Sequence, residues 1–302
     1  MTLTAAILLL ISAVSHAGWN YLSKKEHPTA AFYLVANTIG VIWVFPILLY
    51  YENQIPLIPK SVWIFIVMSG FFLAAYLTAL AGAYRAGDIS IAYPLARSLP
   101  VIFVFLITLI FGKGKPLGVW FVIGIVLVVA GCTILPLKVL REFQFSNYKN
   151  PCCLLAVLAA VGIAGYTITD DTALRNLREI PGEPWDPVDA TLVYMVLEGI
   201  SCSIWQFLIV AFDSRERKNL IDVLHDFKGA AAITGIGIYL TYGLVLASMN
   251  YVTNVTYVAA FRQLSIPLGT LFGMVLLKET RYVPKVIGVV IIFIGLTLVG
   301  VS

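Results

Sequence analysis

Glu198 stands in the run Val196-Leu197-Glu198-Gly199-Ile200, with no lysine or arginine three or four residues away to pair with it. A carboxyl in such apolar company suits the binding of a proton or a cation; the alternative is a structural ion pair with an arginine from elsewhere in the chain. Arg97 and Arg262 are the two candidates. Each is set in apolar sequence, with Pro94 and Pro100 flanking the first and Pro267 following the second. They would hold an anionic group of a ligand or a gating carboxylate; otherwise their long stems would carry the charge to the nearest water. Proline frees a backbone carbonyl and bends a helix, so a solvated kink suits both positions.

Asp170 and Asp171 end an apolar stretch that contains Gly165-Tyr166-Thr167. Neighbours on a helix point about 100° apart, so the two carboxyls cannot act on one ligand atom together. One of them faces a cavity on this reading, and Asp170 joins Glu198 as a candidate for ion coupling. His16 and Asn20 are four residues apart on one helical face, with Trp19 beside them. They suit a polar pocket; a histidine satisfied by a nearby carbonyl and a tryptophan at the membrane surface next to Lys24 and Lys25 account for the same residues. Tyr76, Tyr93, Tyr239, Tyr242, Tyr257 and Gln263 complete the polar set. Aromatic hydroxyls around a cavity suit stacking and cation–π contact with an amine-like or amino-acid-like ligand. Any one of them equally suits helix packing with its hydroxyl bonded to a carbonyl.

These residues sit in a chain of 302 residues that is 60% hydrophobic and only 12% charged. Soluble domains carry about 25% charged residues, so there is more apolar surface than one or two soluble cores could hide. Intrinsic disorder needs the opposite composition. A net charge of +4 spread along the chain forms no basic stripe, which argues against nucleic acid as a partner. Cys132, Cys152, Cys153 and Cys202 lie in apolar stretches without the spacing of a zinc site or a CxxC motif, so no metal is expected. Walker A, HExxH and GxSxG sequences are absent, and the chain is expected to be neither an enzyme nor dependent on a cofactor.

About 20 apolar residues cross the hydrocarbon of a bilayer. Spans are predicted at 3–22, 29–51, 61–84, 89–111, 117–137, 152–173, 188–212, 229–249, 254–276 and 283–301. The first lacks the preceding basic region of a signal peptide and reads as a true span. The breaks at 213–228 and 175–187 read as polar connections. Thirteen lysines and arginines fall on the odd-numbered connections, Lys24, Arg85, Lys149, Arg215 and Lys285 among them, and five fall on the other side. That bias puts the odd connections in the cytoplasm and both termini outside it.

An internal repeat runs through the chain at an offset of about 165 residues. Tyr93-Pro94-Leu95-Ala96-Arg97, Pro100, an apolar run and a basic break at Gly112–Pro116 are followed by a glycine- and valine-rich span. Tyr257-Val258-Ala259-Ala260-Phe261-Arg262, Pro267, an apolar run and the break Lys278-Glu279-Thr280-Arg281 repeat that order. Five spans per copy is an odd number, so the second copy enters from the opposite side. The predicted fold is an all-α polytopic membrane protein of ten transmembrane helices, built as two inverted five-helix repeats at 1–145 and 146–302 in one membrane domain. Inverted repeats recur in secondary transporters, with the substrate site between the halves. Gly235 with Gly237, and Gly269 with Gly273, mark close helix packing.

The segment His16-Ala17-Gly18-Trp19-Asn20, the run Tyr84-Arg85-Ala86-Gly87-Asp88 with Tyr93-Pro94-Leu95-Ala96-Arg97, and Lys278-Glu279 after the ninth span resemble the EamA-like branch of the drug/metabolite transporter superfamily. The resemblance covers essentially the whole chain. It implies a carrier of the bacterial inner membrane, most often an exporter of amino acids or related metabolites. It also implies pocket positions for His16, Trp19 and Asn20, and for Tyr166 and Thr167. Gly114 stands where the family usually has an acidic residue, and Glu279 reads as a cap at a cytoplasmic helix boundary.

The expected function is secondary active export of a small polar metabolite by alternating access. The cavity would be lined by the third, fourth, eighth and ninth spans, with contributions from the first and sixth. Proton antiport and simple facilitation are both open. Two alternatives keep the fold: uptake of an amine- or vitamin-like metabolite, and a lipid-handling or flippase role.

Overall fold

The structure is a computed structural model that describes residues 2–26, 28–110, 118–139, 148–179, 185–249, 251 and 261–301. Tyr257 and the break at Gly112–Pro116 lie outside the described residues.

Local sequence sets where the helices begin. Thr2 starts α1 (Leu3–Lys25) by accepting from Ala5 N, and Thr29 starts α2 (Ala30–Val44) by accepting from Phe32 N. Asn150 and Asp186 do the same for α7 (Pro151–Arg178) and α8 (Pro187–Phe212), each with proline in the first helical position. A short polar side chain there satisfies amides that have no partner within the helix, and proline has no amide to satisfy. Pro46 interrupts the ladder of α2, so the second expected span is two pieces, α2 and α3 (Pro46–Tyr50). The other helices are α4 (Lys60–Ala86), α5 (Ile89–Ile110), α6 (Val119–Ile134), α9 (Ser214–Asp222), α10 (Lys228–Met249), α11 (Ser265–Val275) and α12 (Val283–Val301).

Among the described residues, eight helical segments are long and apolar enough to cross a membrane, and α6 and α11 are shorter apolar helices. The protein is a multi-pass, all-α membrane protein. The expected polar connection at 213–228 is instead helical, as α9 followed by a π-helical turn at Val223–Phe227. Asp213 caps α9 by accepting from Arg215 N and Glu216 N, and Leu220, Val223 and Phe227 pack into the core. Glu216 anchors the segment by accepting from Ala31 N at 3.0 Å. The stretch predicted as a connection from 175 likewise begins later, because α7 continues to Arg178.

The odd-numbered connections meet at one end of the helices. Lys24 donates to the carbonyls of Tyr84 and Gly87, Arg85 donates to Pro28 O, and Lys285 pairs with Asp88 at 2.8 Å. Gly87 lies so close to Cys152 that an added Cβ would stand 2.7 Å from its sulfur. At the other end Tyr51 donates to Asp189 at 2.6 Å, and Thr2 N donates to Tyr251 O. That acceptor, with burial, pushes the Tyr51 phenol up to about 12. We call the first of these the basic end.

Packing depends on close approach. Without water between helices, association in lipid rests on van der Waals contact and interhelical hydrogen bonds. Gly124 and Gly131 on α6 face Gly295 and Gly288 on α12, an antiparallel pairing in which an added Cβ on Gly124 would stand 2.7 Å from Gly295 O. Across the molecule α4 packs on α7 and α8, α10 packs on α1 and α2, α5 on α7, and α11 on α1.

Candidate functional site

A cavity of about 190 Å³ lies among α1, α2, α4, α5, α7, α8, α10 and the turn that precedes α11. Ten of the residues singled out in the sequence line it: His16, Trp19, Tyr76, Arg97, Tyr166, Asp170, Glu198, Tyr239, Tyr242 and Arg262. Pockets for drug-sized ligands run to about 300–1,000 Å³, so this one suits a small molecule. Its two sides differ in charge.

On the acidic side, Ser69 Oγ of α4 stands 2.5 Å from Asp170 Oδ1 and 2.7 Å from Glu198 Oε1. Tyr194 donates its hydroxyl to the same Asp170 oxygen at 2.8 Å. Serine has one hydroxyl proton to give, so the two serine contacts coexist only when one carboxyl brings a proton of its own. The helices reach this closeness because residue 70 is glycine: an added Cβ there would collide with Ser201 and stand 2.8 Å from Cys202 N of α8. Glu198 and Tyr194 are four residues apart on α8 and share its face. Asp171, by contrast, is exposed and pairs with Arg175 on its own helix at 3.0 Å.

The cationic side is built differently. Ion pairs among the described residues join Arg175 to Asp171, His225 to Asp226 and Lys285 to Asp88. None of them involves Arg97, Arg262 or Glu198, so Glu198 is not the partner of either cavity arginine. Arg97 Nε and Trp19 Nε1 are both buried with no hydrogen-bond partner among the described residues. His16 Nδ1 lies 2.8 Å from the Tyr93 hydroxyl and 3.1 Å from Asn20 Nδ2. Assigned from these contacts, Nδ1 accepts, which leaves the imidazole proton on Nε2. Trp19 is 6% exposed and its ring centroid is 5.0 Å from that of His16. It faces the cavity rather than serving as a membrane-surface anchor.

Three expected lining residues lie behind the wall instead. Asn20 donates to His16 O and accepts from the Tyr84 hydroxyl at 2.7 Å, Tyr93 supports His16, and Gln263 has a buried amide oxygen without a partner beside Arg262. Depth explains this, because a shared helical face does not say how far a side chain sits from the cavity. Gly269 and Gly273 let α11 pack closely on α5, as expected. Gly269 makes room for the Tyr93 ring and Gly273 for Ile89 and Glu279.

The model of the EamA-like transporter family matches residues 3–137 and 150–301. The chain belongs to the EamA-like transporter family. Its members are transporters rather than enzymes, and this EamA-like protein is a membrane transporter with the bilayer and a small molecule as its partners. A protein of known crystal structure is similar over 98% of this chain and 96% of its own, at a TM-score of 0.53 and 18% identity. That likeness concerns the fold alone. No curated protein matches the sequence.

Sequence reasoning missed three residues of this EamA-like site. Ser69 bridges the carboxyls, Tyr194 supports Asp170, and Asn37 of α2 accepts from the Tyr239 hydroxyl while donating to Gly199 O and Ser203. Tyr194 was findable from its four-residue spacing to Glu198. Ser69 and Asn37 offer no signal beyond a polar residue near glycine, which apolar helices often carry for packing.

Proposed function

We propose that this EamA-like protein is a secondary active transporter that exports a small polar metabolite, such as an amino acid or a related compound, by alternating access. The observation that carries the reading is the bipolar cavity, in which two arginines without carboxylate partners among the described residues face two carboxyls joined by a serine. An unpaired cation away from water is costly, so an anionic group of the ligand supplies what Arg97 and Arg262 lack. An ammonium group of the same ligand suits Asp170 and Glu198. Protons are the coupling ion on this reading, with Asp170 and Glu198 as the carriers. The proton held in the Ser69 cluster is then released when the ammonium arrives.

The moving parts are two inverted halves, 1–145 and 146–302, of five spans each. Helix packing supports this division. Exchange of the halves turns the α4–α7 contact into the α10–α1 contact, α5–α7 into α11–α1, and α4–α8 into α10–α2, and each of these pairs is packed. The basic end faces the cytoplasm of a bacterial inner membrane, and both termini lie on the other side.

The test is counterflow in proteoliposomes with radiolabelled amino acids, alongside a thermal-shift screen of purified protein. A ligand at about 100 times its Kd stabilises by about 2.7 kcal/mol. Saturable uptake of a zwitterion that also stabilises the protein is the expected result. Stabilisation by lipids alone, with no soluble metabolite taken up, would overturn the reading and favour a lipid-handling role.

A further inference from the structure

Glu279 lies in the turn between α11 and α12 and reaches the first turn of α5, in the other half of the chain. Its Oε1 accepts from Ile89 N at 2.6 Å, and its Oε2 accepts from Ser90 N at 3.1 Å and from Ser90 Oγ at 2.5 Å. Helix N-termini present amides that lack partners within the helix, together with a positive dipole end. One carboxylate from the second half thus meets both. The expected cap at a helix boundary exists, but it sits on a helix of the opposite half.

Three independent features shape this contact. Lys278, just before Glu279, has φ of 55°, the one positive value for a non-glycine residue among those described. Lysine adopts that region rarely and at a cost, so the surrounding contacts hold it there. Gly273 leaves the space that the carboxylate fills, since an added Cβ would stand 2.6 Å from Glu279 Oε2. Lys285 is fully buried and donates to Asp88 Oδ2 at 2.8 Å and to Thr280 O at 2.9 Å, which ties the same turn to the α4–α5 corner. Tyr33, Tyr84 and Tyr93 are all essentially without exposure, and the hydroxyls of Tyr84 and Tyr93 reach Asn20 and His16 on the cavity side. In the first half the matching sequence is Lys113-Gly114-Lys115, with no acid to play the part of Glu279.

We propose that Glu279 and Lys285 form a clasp between the halves that holds the carrier shut at its basic end. The resting cavity is then reached from the opposite end, and access from the basic end requires the first turn of α5 to part from Glu279. This inference rests on the alternating-access reading above.

The experiment places one reporter, Leu73→Cys, on the cavity wall and measures its labelling by a membrane-impermeant maleimide applied to either face of the vesicle. The protein without the reporter gives the background from the four native cysteines, which are buried. Amide exchange at Ile89 and Ser90, read by mass spectrometry, reports the clasp itself. Labelling of the reporter in the otherwise native protein should be faster from the end opposite the basic one. Glu279→Gln and Lys285→Met should each raise exchange at α5 and labelling from the basic end by about tenfold, as expected for loss of a hydrogen bond to a charged group. Raised exchange with an unchanged labelling ratio would reduce Glu279 to a local cap and overturn the proposal, as would equal labelling from both faces before any change at Glu279. If Glu279→Gln fails to fold, Gly273→Ala crowds the carboxylate without altering charge and should shift the ratio the same way. A failed transport assay alongside the expected labelling pattern would count against the substrate reading alone.

Discussion

Across one small cavity, Asp170 and Glu198 share a serine hydroxyl and Tyr194 donates to Asp170, whereas Arg97 and Arg262 meet no carboxylate among the described residues. The acidic side satisfies itself with a proton and two hydroxyls. The cationic side keeps donors that nothing among the described residues fills, Arg97 Nε and Trp19 Nε1. Opposite charges around one buried cavity would ordinarily pair, since that is the least costly way to keep them from water. Holding them apart on separate helices leaves room for a ligand that carries both charges, so each side can be broken by itself.

The largest effect belongs to the unfilled side. Arg97→Ala should abolish transport and erase ligand-induced thermal stabilisation, a loss of about 3 kcal/mol or more than about 100-fold in affinity for a truncated charge contact. Arg97→Lys should recover only part of it, because a lysine presents no planar fork to a carboxylate. Undiminished binding of a carboxylate ligand to Arg97→Ala, measured by thermal shift, would mean that the anion sits elsewhere.

Next comes the carboxyl pair. Glu198→Gln keeps the size of the side chain and removes its charge, and should lower transport in proteoliposomes by about 100-fold, the low end of the span for a lost proton-transfer group. The residual transport should no longer vary with pH across the range in which the native protein responds. A variant that kept the native pH profile would remove Glu198 from the coupling role and leave Asp170 to carry it.

Ser69→Ala sharpens the same side at smaller cost. Loss of a hydrogen bond to a charged group costs about 1.5–3 kcal/mol, which should appear as a lower Tm and roughly tenfold weaker transport. The pH profile should shift, since the two carboxyls lose the hydroxyl that bridges them. An unshifted profile would make Ser69 a packing residue only.

The contrast between the two sides was only partly legible in the sequence. Charged residues in apolar runs are conspicuous, so Arg97, Arg262, Glu198 and Asp170 stood out, and the spans stood out with them. The hydroxyls that join them did not. A serine in an apolar helix usually bonds back to its own preceding turn, as Ser98 does to Pro94 O, and only the glycine beside Ser69 hints at a neighbour near enough to change its partner. The segment 213–228 reads as a connection because it is rich in charge, but charge alone does not show that Asp213 caps it as a helix or that Val223 and Phe227 bury one side of it. Asn20, Tyr93 and Gln263 were assigned to the lining because helical phase gives direction and not depth.

The finest test of the comparison uses adjacent residues. Asp170 and Asp171 differ by one position, yet Asp170 joins the Ser69 cluster while Asp171 faces outward to Arg175. Composition and hydropathy cannot separate them; the 100° turn between neighbours does. Asp171→Asn should leave transport and its pH profile within about twofold of native, because exposed pairs spaced four apart on a helix contribute little. Asp170→Asn should reproduce much of the Glu198→Gln defect, since it removes the other carboxyl that the serine and Tyr194 hold. Equal defects in the two variants would place the functional carboxylates by charge density at the helix end rather than by the face turned to the cavity. Transport assays on the pair at three pH values decide between these.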